Sequence, residues 1–260
     1  MVNEITLGTL DLTPYKEFAR ERLGFDFKDI GLLVTALTHR SYVNEHRNLK
    51  IEHNERLEYL GDAILEMVTS DYLYRTYNES EGIMTSLRAA MVRTESIGAA
   101  GYELGYEPLV RLSRGEKHGL ERAHEVIMAD CFEAVIGAIY MDQGYEVAKD
   151  FIYKHIISKL DDIIREGTWR DAKSYVQELA QKSKGVTPRY RTLHESGPDH
   201  DKFFVVALYI EDEKIATGEG HSKQEAQTNA ARAGVKKLRE LLGPEIDQFK
   251  KNLQSEPATK

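Results

Sequence analysis

Five carboxylates fall in two short stretches at spacings that suit shared chemistry. In residues 54–67, NERLEYLGDAILEM, Glu55, Glu58 and Asp62 stand three and four apart, which on a helix places all three on one wall. In residues 123–140, AHEVIMADCFEAVIGAIY, Asp130 and Glu133 stand three apart amid Val126, Ile127, Phe132, Val135, Ile136 and Ile139. Carboxylates in so apolar a helix need partners, because an unpaired buried charge is costly. If the two helices face each other, Glu58, Asp62, Asp130 and Glu133 share one pocket, where they either take up protons or bind divalent cations. Hard oxygen ligands suit Mg²⁺, or Mn²⁺ as a substitute, rather than zinc. A divalent cation so held serves phosphoryl transfer by activating water and neutralising phosphate oxygens. The bland alternative is a solvated acidic face, common on amphipathic helices, and residues 54–67 alone leave it open.

Several elements must position these groups. The helix of 54–67 sets Leu57, Leu60, Ile64, Met67 and Val68 opposite its acids and extends towards Tyr77. Upstream, Thr13 as N-cap, Pro14 at the first helical position and Gly24 as terminator bound a short helix. Residues 29–42 carry an apolar stripe through Leu32, Leu33, Ala36 and Leu37. His39 follows it, with no histidine or cysteine at metal-ligand spacing, and reads as a structural, hydrogen-bonding residue. VNEHRNLKIEH is a loop. Helical periodicity returns over residues 85–99, with Glu81 at the loop-to-helix transition, where an acid favours the helix N-terminus. PLVRLSRGEKHG is basic through Arg111, Arg114, Lys117 and His118, either a phosphate contact or a solvated turn. A helix over about residues 145–164 completes an all-α first part.

The composition shifts at REGTWRDAK. Residues 172–183 read as a helix, PRYRTLHESG, HDKFFVVALYIED and KIATGEGHS as three strands, and residues 222–242 as a helix packed through Ala226, Ala230, Ala233, Val235 and Leu238. An α-β-β-β-α module of this size makes one sheet covered by two helices. The expected layout is therefore a leader (1–13), an all-α domain (14–164), a linker (165–171), a small α+β domain (172–242) and a mobile tail (243–260).

Composition narrows the classes. At 260 residues the chain can hold one sizeable core plus a smaller module. A net charge of -8 argues against a nucleic-acid partner only globally, since a local basic face can coexist with an acidic site. The single cysteine, Cys131, excludes an internal disulfide framework and suits a reducing compartment. Its apolar neighbours make it a small core residue rather than a nucleophile. No stretch of about twenty apolar residues and no basic-then-hydrophobic leader occurs, so neither a membrane partner nor secretion is expected, and the cytoplasm remains. Walker, Rossmann and CxxC patterns are absent.

NERLEYLGDAILE closely resembles the signature stretch of bacterial ribonuclease III. LTHRSY upstream, SEGIMTSLRAAMV and ADCFEAVIGAIYMD downstream, and a double-stranded-RNA-binding module agree with it in order, over about residues 15–242. The resemblance implies a helical, homodimeric endonuclease domain whose two metal sites flank a shared RNA valley. It implies Glu58, Asp62, Asp130 and Glu133 as the metal set, with Asp62 and Glu133 foremost. Glu55 and Glu81 match two further acidic positions, where structural or dimer roles compete with chemistry. Tyr59 stands where the family has Phe. Leu57, Leu60, Met84 and Leu87 are candidates for core or subunit contact. The implied reaction is metal-dependent hydrolysis of double-stranded RNA to 5′-phosphate and 3′-hydroxyl ends with short 3′ overhangs, in ribosomal and some messenger and transfer RNA precursors.

Double-stranded RNA is read by shape across two minor grooves and the phosphates between them. In the resembling module Gln177, Glu178 and Gln181 would reach 2′-hydroxyls, His200 would enter the next groove, and Lys223 would meet phosphate. The departure is Gln224, where the family has a second lysine. It removes one phosphate contact and its share of counterion release, so salt-sensitive but weaker binding than in a paired-lysine relative is expected.

Overall fold

The computed structural model describes residues 10–49, 51–198 and 201–242. The expected tail, most of the leader and His200 lie outside them. The chain divides between Ile163 and Ile164 into two compact units.

In the first unit, helix α1 (Thr13–Phe18) runs on as a π-turn over Ala19–Leu23 and stops at Gly24, φ 91°. Thr13 is the first helical residue rather than the cap, because Asp11 accepts its backbone N–H at 2.9 Å and fixes the chain one residue earlier. Asp29 caps α2 (Ile30–Ala36), and the buried Asp142 carboxylate accepts the N–H groups of Lys28 and Asp29 at 2.9 and 2.8 Å. His39 caps α3 (Arg40–Glu45), its Nδ1 lying 3.3 Å from the Ser41 N–H and 2.8 Å from its hydroxyl. The segment expected as loop therefore opens as a helical turn. The basic stretch is tied down beside it. Arg111 lies over the Tyr42 ring at 4.2 Å, and the Arg114 N–H donates to Glu45 at 2.9 Å.

Helix α4 (Glu55–Thr76) buries Gly61, Ile64, Leu65, Val68, Thr69 and Leu73. Met67, expected in the core, is 51% exposed; Thr69 takes the inner position instead, its hydroxyl satisfied by the Leu65 carbonyl at 2.7 Å. The single helix expected over 85–99 is two, α5 (Glu81–Val92) and α6 (Thr94–Leu104). They are separated by Arg93 in an extended conformation and tied by Ser96 Oγ donating to the Ala90 carbonyl. Helix α7 (Glu121–Gln143) is the central rod, almost fully buried from Ile127 to Ile139 and packed against α2, α4, α6 and α8 (Tyr145–His155). A 3₁₀ turn at Ile157–Lys159 separates α8 from α9 (Leu160–Glu166), where one continuous helix was expected. Among the described residues, no helix is long and apolar enough to cross a membrane.

In the second unit Asp171 caps α10 (Ala172–Lys184), accepting from the Ser174 N–H at 2.8 Å, and Gly185 at φ 68° ends it. Strands β1 (Arg189–Ser196), β2 (Phe203–Ile210) and β3 (Glu213–Gly220) form one antiparallel sheet in that order. Helix α11 (Lys223–Leu242) opens with a reciprocal cap, Ser222 Oγ accepting the Glu225 N–H and the Glu225 carboxylate accepting the His221 N–H. The core joins Tyr175, Val176 and Leu179 of α10 to Leu208, Ile210 and Ile215 of the sheet and Ala230, Ala231, Val235 and Leu238 of α11. Ala233, expected in that face, is exposed. Ala231 and Gly234 take its place, and the missing side chain of Gly234 admits Leu208.

Candidate active site and nucleic-acid interface

The acidic residues owe their placement to two helices whose backbones touch. A Cβ added to Gly61 on α4 would overlap the Glu133 carbonyl oxygen of α7, and one on Gly137 of α7 would overlap the Leu57 carbonyl oxygen of α4. The two glycines let α4 and α7 approach more closely than side chains allow. They also set the carboxyl-bearing turns of the two helices side by side. The start of α4 is fixed by Asn54, 1% exposed, whose carbonyl accepts from Leu57 and Glu58 N–H and whose amide faces Cys131 Sγ at 3.7 Å. Burial pushes the Cys131 thiol well up, so it is an inert core residue.

Glu58, Asp130 and Glu133 are half-buried, while Asp62 and Glu55 are exposed. Burial first, then Asp130, Glu55 and Asp62, raise Glu58 to about 7. Burial, then Asp62, Glu58, Asp130 and Glu66, raise Glu133 to about 8. Asp130 is raised by burial and by Glu55. The four expected residues thus share one negative field. Among the described residues, however, no group of three or more histidine, cysteine or acidic side chains is placed to hold a metal ion. Electrostatic repulsion reaches further than coordination, which accounts for both observations. The donor set itself fits a hard divalent cation: oxygen ligands only, most of them half-buried, whose mutual repulsion a positive charge would offset.

Glu55 belongs to this field but is also tethered, to Arg40 at 3.2 Å and near His53 at 3.8 Å. Glu81 does not. It is exposed and lines a pocket of about 390 Å³ between α4 and α5 with Leu73, Tyr74, Met84 and Arg88, and it is absent from the charges that raise Glu58, Asp130 and Glu133. Sequence reasoning missed Glu66, which adds to the field at Glu133 and faces Arg88 at 3.7 Å. Its position, four residues beyond Asp62, was the available signal. Leu87 is fully buried and therefore core, whereas Met84 lines the pocket.

In the second unit, Gln177, Glu178 and Gln181 are exposed on α10. Glu178 faces Arg170 at 3.5 Å, and the Arg170 guanidinium lies over the Trp169 and Tyr175 rings at 4.7 and 4.3 Å. Lys223 and Gln224 form the exposed first turn of α11. Lys223 Nζ lies 3.4 Å from Glu195 Oε2. Lys202 shares that carboxylate, donating to Oε1 at 3.2 Å, and neither Lys202 nor Glu195 was singled out from sequence.

Two family models match the chain: Ribonuclease-III-like over residues 29–160 and Double-stranded RNA binding motif over residues 172–238. Ribonuclease 3 of Streptococcus gordonii is 42% identical over 84% of this chain and 94% of its own length. Ribonuclease 3 of Protochlamydia amoebophila is 44% identical over 81% and 86%. The solved nuclease domain of ribonuclease III from Campylobacter jejuni is 35% identical, covering 54% of this chain and 96% of that one, with a TM-score of 0.48. Matched in both units and along nearly the whole length of its relatives, the chain belongs to the ribonuclease III family of metal-dependent endonucleases that cut double-stranded RNA.

Proposed function

We propose that Glu58, Asp62, Asp130 and Glu133 hold Mg²⁺, with Mn²⁺ as a working substitute, and that Asp62 and Glu133 are the catalytic pair. The observation that carries this is the upward displacement of Glu58, Asp130 and Glu133 together by burial and mutual repulsion. A bound divalent cation supplies an activated water and charge neutralisation at the scissile phosphate. The chain's own contribution is a preformed, partly desolvated acidic wall whose groups release protons as the cation is taken up. Glu55, tethered by Arg40, tunes and positions; Glu81, apart from the field, acts in the α4–α5 pocket instead.

The products are 5′-phosphate and 3′-hydroxyl ends with short 3′ overhangs, which requires one site per strand and hence a homodimer through the catalytic domain. An exposed stripe on α4 supports such a contact: Tyr59, Met67 and Tyr74 are 82, 51 and 76% exposed. A soluble monomer rarely leaves so much apolar surface along one helix. In the second unit Gln177, Glu178 and Gln181 address 2′-hydroxyls, Lys223 meets phosphate and Gln224 withholds a charge; His200 is assigned to the neighbouring groove on sequence alone. Precursors of ribosomal RNA, and some of messenger and transfer RNA, processed in the cytoplasm, are the substrates.

The test is a labelled perfect duplex incubated with wild type, with Glu133→Ala and with metal-stripped protein. Wild type with Mg²⁺ cuts, and the other two do not. An uncut duplex with wild type and Mg²⁺ overturns the activity, whereas normal cleavage by Glu133→Ala overturns the site assignment alone.

A further inference from the structure

Asn54 stands at the N-cap of α4, where an asparagine side chain ordinarily accepts a hydrogen bond from the first turn of its own helix. It makes no such cap. The side chain turns away from α4 instead, and its amide donates to Cys131 Sγ of α7 at 3.7 Å. The backbone of Asn54 is fixed as well: its N–H donates to the Thr38 carbonyl at 2.9 Å, and its carbonyl accepts the Leu57 and Glu58 N–H groups at 2.8 and 2.9 Å. Both partners are buried, Asn54 at 1% and Cys131 at 0% exposure. A thiol is a weak acceptor, so a buried amide spent on it returns little to folding, and the capping bond is forgone too. The contact therefore needs a reason other than stability.

Its place supplies one. Asn54 directly precedes Glu55 and lies one turn before Glu58, while Cys131 directly follows Asp130 and lies two residues before Glu133. The close approaches of Gly61 to Glu133 and of Gly137 to Leu57 run in antiparallel order along the two helices. Continued in that order, Asn54 would meet α7 beyond Gly137; it meets Cys131, on the other side of Glu133. Two contacts on one line set how close two helices lie. A third contact off that line fixes how one is turned upon the other. We propose that the Asn54–Cys131 contact is a register pin that turns the acidic wall of α4 onto Asp130 and Glu133, which makes Asn54 a positioning residue for the metal. Buried asparagines fix the register of other helix pairs at a cost in stability. Ligands drawn from two helices need that register set before the cation arrives. This inference rests on the assignment of Mg²⁺ to Glu58, Asp62, Asp130 and Glu133.

Mn²⁺ titration calorimetry of the full chain without RNA, read beside cleavage of a labelled duplex across a Mg²⁺ series, tests it. Asn54→Leu keeps a branched side chain and removes the amide. It weakens Mn²⁺ binding by about 10-fold or more, the loss usual when a group that orients a metal ligand is removed, and raises the Mg²⁺ needed for half-maximal cleavage to match. Cys131→Ala weakens Mn²⁺ binding equally, and the two changes together weaken it no further. Cys131→Ser, which restores an acceptor, keeps wild-type affinity. Unchanged Mn²⁺ affinity in Asn54→Leu, even with a lowered thermal midpoint, overturns the pin and leaves Asn54 a structural residue. Losses that add in the double variant, or a Cys131→Ser chain as weak as Cys131→Ala, overturn it too, because the amide would then act without its partner. Should Asn54→Leu fail to fold, wild-type Mn²⁺ affinity in Cys131→Ala overturns the pin by itself. A wild type that binds no Mn²⁺ overturns the metal assignment instead.

Discussion

The two units gather charge in opposite ways. In the first, carboxylates gather on α4 and α7, and Glu58 and Glu133 are driven towards protonation by burial first and then by their acidic neighbours. In the second, Lys202 and Lys223 both lie against the exposed Glu195 carboxylate, at 3.2 and 3.4 Å. The acidic cluster is costly and rigid, because the backbones beneath it touch at Gly61 and Gly137. The basic cluster costs little and yields readily, because its members sit on flexible stems in water. Chemistry on a phosphodiester needs groups whose positions and protonation are set in advance. Recognition of an irregular backbone by shape tolerates adjustable contacts.

This contrast can be broken at its stronger end first. Asp62→Asn should lower duplex cleavage on the order of 10²- to 10³-fold, the scale of losing one preorganised electrostatic group, while gel-shift binding of the same duplex persists. A matching loss of binding would show that the acidic cluster also holds RNA. Gly61→Ala comes next, because the new methyl meets the Glu133 carbonyl. Overpacking of this kind costs about 1–3 kcal/mol, lowering the thermal midpoint of the first unit in calorimetry. An unshifted midpoint would mean that the helices can part without cost.

Protonation gives a smaller and more diagnostic effect. Glu58 and Glu133, ordinarily near 4.5, are raised in the folded chain to about 7 and about 8, so the folded state keeps protons that the unfolded chain has lost. The stability they contribute is complete below about 4.5 and is lost as pH rises through about 7 and 8. Metal-stripped protein should therefore melt at lower temperature at pH 8.5 than at pH 5. Mg²⁺ should restore the midpoint at the higher pH and do little at the lower. A flat profile would remove the premise of a strained acidic site. The smallest change is expected from Gln224→Lys, which should steepen the salt dependence of duplex binding by about 1. No tightening at fixed salt would overturn the reading that Gln224 withholds a phosphate contact.

Much of this was legible in the sequence because it is periodic. The α4 and α7 acids, the α-β-β-β-α order and the glycine stops follow from spacings of three, four and two and from residues that only certain turns accept. What escaped was decided by contacts between distant segments. Period alone placed Met67 inward; the buried Thr69 shows that a satisfied hydroxyl can displace an unsatisfied expectation. Ala231 and Ala233 are indistinguishable by composition, and only the seating of Leu208 against Gly234 selects the former. The break at Arg93 has no glycine or proline to announce it. Glu195 and Lys223 lie far apart in the sequence, and only the folded sheet and helix bring the two side chains within 3.4 Å.

The Gly61–Gly137 contact also carries a historical implication. Because main chain against main chain sets the spacing of α4 and α7, the scaffold does not depend on the acids it displays, and those acids oppose one another at neutral pH. A descendant that exchanged Glu133 for a neutral residue would inherit an intact and more tolerant fold, as strained sites commonly trade stability for the groups they hold. Loss of that charge is then downhill for the fold, whose spacing is held by main chain alone.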